Sequence, residues 1–493
     1  MRRTVLLLAG LLTLGACDDE AADDAGLPSA DAGDGTTDAG DSMTDAGDGT
    51  SDAGDSMTDA GDGTTDAGPP SGDCALPPPF DEGVAYSTTL HVATDGTAAG
   101  PGTAAAPFDT IRGAIDAAGP GTRILVAAGT YAPTRLDGVT GEADAPIAIV
   151  ADGEVILDGG GSATPLAMSD PRYVVLEGLT LANAGVHGMN IDDGGSYDTP
   201  AHHVVLRDIT VPGAGSGGNN DCIKLSGLDD FWIEGSALSA CDRGEAVDMV
   251  GCHRGVIHGN DVREVVGNGI QTKGGSSDVL IHGNRFTDIP GRAVNAGGST
   301  GLEFFRPDDA PHEAANIRVI ANLFVDVGAE SGAPVAFVGC DGCVVANNTI
   351  IRPQTWVARI LQETTGARFV PSRDGRFVNN LVVLNTGDLR TFVNVGGGTA
   401  PETFVFGHNL WWALDEDASW GGPTYPGGLP AEMDSVIQRD PGLTDLAGGD
   451  YRPSPGGPAE AAGEALASGA YPDFDGRCFA DPPSLGAYET VAP

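Results

Sequence analysis

The chain is 493 residues long, holds 75 Gly, is 6% aromatic and carries a formal charge of −45. That charge excludes a general affinity for nucleic acid or anionic lipid, because both need positive surface to displace counterions. Abundant glycine and scarce aromatics suit many tight turns around a narrow aliphatic core better than a helical bundle.

Arg2 and Arg3 followed by the apolar run from Val5 to Leu14 have the pattern of a targeting segment, too short to span a bilayer as a mature helix. Leu14-Gly15-Ala16-Cys17 is similar to the lipobox of bacterial lipoproteins. The resemblance implies that residues 1–17 are a lipoprotein signal peptide with its lipobox Cys, and that Cys17 is acylated. The protein is then exported and held by a lipid anchor in a membrane of the cell envelope, at the periplasmic face or the cell surface.

Residues 18–73 repeat TDAGDGTTDAGDSM and close variants, with 17 acidic residues and no Lys or Arg. So little apolar bulk cannot drive folding, and self-repulsion extends the segment. It reads as a disordered acidic linker that lifts the folded domain, residues 74–493, off the membrane. Beyond the linker the chain is still acidic, with 23 basic against 53 acidic residues.

In the stretch from His91 to Leu136, Ile111, Ala114, Ile115 and Ala118 recur at helical spacing. A short helix over 110–118 is predicted, capping an exposed strand edge. Between Asp170 and Val395, stretches such as VVLEGLTL, VVLRDITV, VLIHGNRF and CVVANNTI recur every ~24 to 30 residues, a solenoid period. Each unit is too short to bury its own apolar face, so units must stack on one continuous core. The predicted fold is all-β: a single-stranded parallel β-helix. Asn260, Asn284, Asn322, Asn348, Asn380 and Asn409 fall at equivalent turns, where stacked side chains are expected to satisfy turn backbone groups.

The segment containing Gly102-Thr103, Ala106-Pro107-Phe108 and Gly129-Thr130-Tyr131 resembles the opening of the pectate-lyase-like, right-handed parallel β-helix superfamily. Asp440-Pro441-Gly442-Leu443, Gly449-Asp450-Tyr451-Arg452 and Leu485-Gly486-Ala487-Tyr488-Glu489 are similar to the closing segment of many secreted bacterial β-helix proteins. This resemblance implies a right-handed coil, with a first strand over 121–127 and the next turn at 129–131. It leaves the activity open, because that superfamily holds lyases, hydrolases, epimerases and proteins without known chemistry. Eight Cys suit an oxidising compartment. With Cys17 lipidated, seven remain, which leaves at least one free thiol. Cys74 with Cys478 is expected to tie the ends of the domain together. Cys340-Asp341-Gly342-Cys343 is expected to be a turn-closing disulfide or two buried thiols.

Five successive second strands align on their apolar positions: HGMNIDD, DCIKLSG, EAVDMVG, NGIQTKG and RAVNAGG. With Met189, Ile223, Val247, Ile270 and Val294 inward, alternation sends Asn190, Lys224, Asp248, Gln271 and Asn295 to the other face. Lys273 shares that face, and His187, Asp221, Glu245, Asn268 and Arg292 lie just before their strands, which makes a polar patch on adjacent coils. This mixture suits β-elimination of a uronic-acid polymer. Asp221, Glu245 and Asp248 are expected to hold Ca2+ through hard oxygens, Lys273 to act as the base, and Arg292 to assist charge neutralisation or proton return. Lys224, Gln271 and Asn295 are expected to bind substrate. The period breaks between Ser299 and Glu313, and insertions in solenoids project from one face. Phe304, Phe305 and Arg306 there offer an aromatic platform beside a cation, with Arg306 a further substrate-binding residue; alternatively the loop buries both rings.

Lys273, followed one coil later by Arg292, looks like the Lys-then-Arg arrangement of alginate and chondroitin lyases on this fold. Those enzymes carry acidic calcium ligands a few residues before the Lys, where this chain has Val265, Val266 and Gly267. The expected function is that of a surface-anchored, monomeric β-helix acting on extracellular acidic polysaccharide as a calcium-assisted polysaccharide lyase. The alternative is a non-catalytic glycan-binding or structural cell-envelope protein.

Overall fold

The computed structural model describes residues 74–466 and 471–490, apart from residues 197 and 218. Cys17 and the acidic linker 18–73 lie outside the described residues. Among the described residues no helix is long and apolar enough to cross a membrane.

Short strands with one apolar row each pair in parallel with the next coil, which gives an all-β right-handed parallel solenoid. One sheet has 24 strand segments and the other has ten, from Thr134–Asp137 to Val393–Val395. The inward rows are closely packed: Met189, Ile223, Val247, Ile270, Val294 and Val335 are all fully buried in one continuous core. Each coil thus supplies the apolar cover its neighbour lacks.

The first strand of the coil is Thr88–Val92, which pairs with Thr122–Tyr131. The strand expected over 121–127 is therefore the second. It runs on through the expected turn at 129–131, because a register shift between Ala127 and Gly129 bends the strand without ending it. The helix Ile111–Ala117 is capped by Thr110, whose hydroxyl accepts from Gly113 N at 3.2 Å, and it buries Ile111 and Ala114.

The six asparagines form a buried ladder. Each Oδ1 accepts the backbone N–H of its counterpart one coil earlier, at 2.8–3.0 Å from Asn260 to Asn409. Ser236 begins the ladder by donating its N–H to Asn260 Oδ1 at 2.8 Å, and Ser435 Oγ ends it by accepting from Asn409 N at 2.8 Å.

Cys74 and Cys478 are bridged across 404 residues, and Cys340 and Cys343 close a local turn. A third bridge, Cys222–Cys241, was not anticipated. It lies immediately before the strand that carries Lys224. Cys252 is the buried free thiol left by the odd count.

The insertion fills residues 298–313, between the strands Val294–Gly297 and Ala314–Ala315, whereas two residues suffice between Lys273 and Ser276. It folds back along the preceding coils. Arg306 N donates to Gly274 O at 2.9 Å, and the buried Glu313 carboxylate accepts from Gly274 N at 2.8 Å and Thr300 N at 2.9 Å. The two phenylalanines part company. Phe305 is fully buried against Phe369 beneath the Arg368 guanidinium, while Phe304 stays 42% exposed at the tip.

Candidate active site

Met189, Ile223, Val247, Ile270 and Val294 are paired in register across five coils. The strand period then fixes the column Asn190, Lys224, Asp248, Gln271 and Asn295 on the opposite face, with Lys273 beside it. The alignment expected from the sequence holds residue for residue.

The column is not an open surface. Asp221 and Asp248 have no exposure, Asn295 has 1%, and Gln271 and Glu245 have 7%. Cross-coil hydrogen bonds close it. Gln271 Nε2 donates to Asp248 Oδ1 at 3.1 Å, Asn295 Nδ2 to Gln271 Oε1 at 2.7 Å, and Arg292 Nη1 to Asn295 Oδ1 at 3.0 Å. Asn268 Nδ2 bridges Glu245 Oε1 and Gln271 Oε1 at 3.0 Å each. Three cations retain some exposure over the carboxylates, Lys224 at 15%, Lys273 at 12% and Arg292 at 17%, beside His187 at 19% and Glu363 at 35%.

Asp221, Glu245 and Asp248 each bring one oxygen within 4.8 Å of the others. Lys224 Nζ pairs directly with Asp248 Oδ2 and lies 3.9 Å from Asp221 Oδ2, and Lys273 Nζ lies 3.4 Å from Asp248 Oδ2. These contacts drive the titrations apart. Burial opposes ionisation of Asp248, but the Lys224 and Lys273 ammonium groups outweigh it and hold the carboxyl at about 2. Burial and the Asp248 charge push Asp221 up to about 6. Burial, then Asp248 and Asp221, drive Glu245 well above the usual carboxylate range. Lys224 is held above its ordinary value, since Asp248 and Asp221 outweigh the cost of its burial. Two of the three carboxyls are thus pushed toward the protonated form beside the Lys224 ammonium.

Calcium was expected here, and the donors do not fit it. Both Asp248 oxygens are taken, Oδ2 by the lysines and Oδ1 by Gln271. Asp221 Oδ1 accepts from Glu245 N at 2.9 Å, and Glu245 Oε1 accepts from Asn268. Only Asp221 Oδ2 and Glu245 Oε2 have no hydrogen-bond donor, where calcium needs six to eight oxygens.

Arg306 does not join the cluster. Its guanidinium grips Asp229 in a bidentate pair, at 2.6 Å and 3.0 Å, donates to Gly251 O at 2.9 Å, and is buried. It anchors the insertion and leaves no platform cation next to Phe304. Residues that had not been assigned a role complete the site. Glu363 Oε1 holds Arg292 Nη2 at 2.8 Å from 71 residues away, a distance along the chain that carries no local signal. His187 Nδ1 accepts from Asp221 N at 3.0 Å. His187 and Asn268 occupy the same pre-strand position as Asp221 and Glu245, where the repeat places them without a role.

No family model matches the chain, and no curated protein matches it. Among solved structures it is similar to the pectate lyase Pel9A, at 15% identity over 83% of this chain and 98% of that one, with a TM-score of 0.53. It is also similar to XylC, solved in complex with xylose, at 12% identity over 82% and 98%, with a TM-score of 0.50. The chain shares the right-handed parallel β-helix fold with that pectate lyase.

Proposed function

We propose that this protein is an exported enzyme, tethered through Cys17, that cleaves an extracellular acidic polysaccharide by β-elimination on the outer face of its ten-stranded sheet. One observation carries the reading: Lys224, Lys273 and Arg292 keep 12–17% side-chain exposure above carboxylates that keep almost none. Three cations thus lie outermost over the three buried acids in an otherwise acidic domain, with Glu363 beside Arg292. Buried ion pairs contribute little to stability for the desolvation they cost, and titratable groups driven apart in a confined cluster are characteristic of working sites. The fold is shared with a pectate lyase, which supports the substrate class.

In this reading Arg292 neutralises a uronate carboxylate and so acidifies the adjacent C–H. Lys273, having given its own proton up to solvent, takes that proton as the free amine; the bond to the glycosidic oxygen breaks, its electron pair leaves with the oxygen, which takes a proton back from Lys273 or from solvent, and a carbon–carbon double bond forms. Calcium has no part in the proposed step, and the enzyme acts as a monomer.

The test is ultraviolet absorbance of the unsaturated product during incubation with pectate, alginate and chondroitin. A rise on one polymer that is lost in Lys273→Ala supports the assignment and names the substrate. No rise on any of them overturns β-elimination of these polymers and turns the reading to a non-catalytic glycan-binding or structural protein.

A further inference from the structure

The mismatch with calcium says what does the metal's work. We propose that Lys224 is a built-in counter-cation: its ammonium, helped by that of Lys273, takes the charge-neutralising place of a divalent cation among Asp221, Glu245 and Asp248, so the site is metal-independent. The backbone enforces this. Lys224 and Asp248 are register partners on adjacent strands, and Asp221 lies three residues before Lys224 on the same coil. The ammonium is therefore threaded between two carboxylates by the fold itself, and no loop movement withdraws it.

The uncommitted atoms agree. Asp221 Oδ2 and Glu245 Oε2 are buried without a donor. His187 Nδ1, 3.4 Å from Asp221 Oδ2, already accepts from Asp221 N, and Lys224 Nζ is 3.9 Å away. A calcium ion would need four or more additional oxygens and would sit against an ammonium it repels.

This inference rests on the proposed lyase reading only for its activity arm, so a binding arm is read separately. Melting temperatures of the full chain are compared in calcium and in chelator. The acidic linker is common to every variant and cancels. Wild type is expected to melt at the same temperature in both. Lys224→Met, with the ammonium gone, is expected to gain on the order of 3 °C from calcium, and adding Glu245→Gln is expected to remove the gain. A calcium-dependent rise in wild type that disappears in Glu245→Gln would overturn the proposal, and this arm needs no folded Lys224 variant. Where cleavage is found, it is expected to proceed at an unchanged rate in chelator; loss of cleavage on chelation would also overturn metal independence. Absence of cleavage on every polymer would count against the lyase reading alone.

Discussion

Lys224 and Asp248 are Cα partners on adjacent parallel strands, and their charged groups meet in direct contact where Asp248 has no solvent exposure. Removing one partner of such a pair strands the other charge, which costs far more than the pair contributes. Lys224→Met is expected to destabilise the protein by about 3 kcal/mol, with Lys273 alone left on Asp248. The double variant Lys224→Met/Asp248→Leu is expected to recover most of that loss. Urea denaturation of wild type, Lys224→Met, Asp248→Leu and the double variant checks this, and additive losses would refute the coupling.

The asparagine ladder makes a different demand. Asn322 accepts from Asn284 N at 2.9 Å and donates to Ile281 O at 2.9 Å, fully buried between two coils. Asn322→Ala leaves a buried N–H and a buried carbonyl each without its partner, a loss of about 3 kcal/mol. The midpoint of urea unfolding measures it. A change within the noise would mean that the turns close without the ladder.

The repeat made the coil readable because inward residues must be apolar at every second position, and that rule also brought Lys224, Asp248, Gln271 and Asn295 into one column. It did not reveal their burial. A residue that points away from the core of a solenoid is exposed only if its neighbours leave it so, and here Asn268, Arg292 and Glu363 close over the column. Arg306 misled for a related reason: its partner Asp229 lies 77 residues earlier, and pattern alone cannot pair them. The bridge between Cys74 and Cys478 was anticipated from their places at the ends of the domain, whereas Cys222–Cys241 depends on where successive corners of the coil fall.

That terminal bridge holds two segments on one patch. Leu76 from the N-terminal side and Tyr471 and Phe479 from the C-terminal side pack over Leu280, Ile320, Ala346 and Val378. Closing so long a loop restricts the unfolded chain by about 5 kcal/mol at most. Cys74→Ser/Cys478→Ser is expected to lower the melting temperature and to admit protease near residue 76 before the coil itself is cut. Mass spectrometry of timed digests locates the first cuts; unchanged cleavage order would show that packing alone holds the segments.

His282 provides a pH signature. It is fully buried, its Nε2–H donates to Pro472 O at 2.8 Å, and His258 lies against it with the two Nδ1 atoms 3.2 Å apart. Burial is the main cause that pulls the imidazole down to about 4; the Pro472 carbonyl opposes this and His258 adds to it. The unfolded chain therefore binds the proton first as pH falls. The stabilising contribution is complete above the unfolded value near 6.5, and it declines as pH falls from there toward 4, by about 3 kcal/mol in all. Asp221 and Glu245, raised in the folded state, act with the opposite sign over part of this range, so wild type alone would blur the effect. His282→Gln keeps an amide donor for Pro472 without a titrating group, and the carboxylate contribution is common to both proteins. The stability difference between wild type and His282→Gln, measured by urea denaturation, is expected to shift against wild type by about 3 kcal/mol between pH 7 and pH 4. Parallel pH curves would show that His282 is protonated in the folded state as readily as in the unfolded chain.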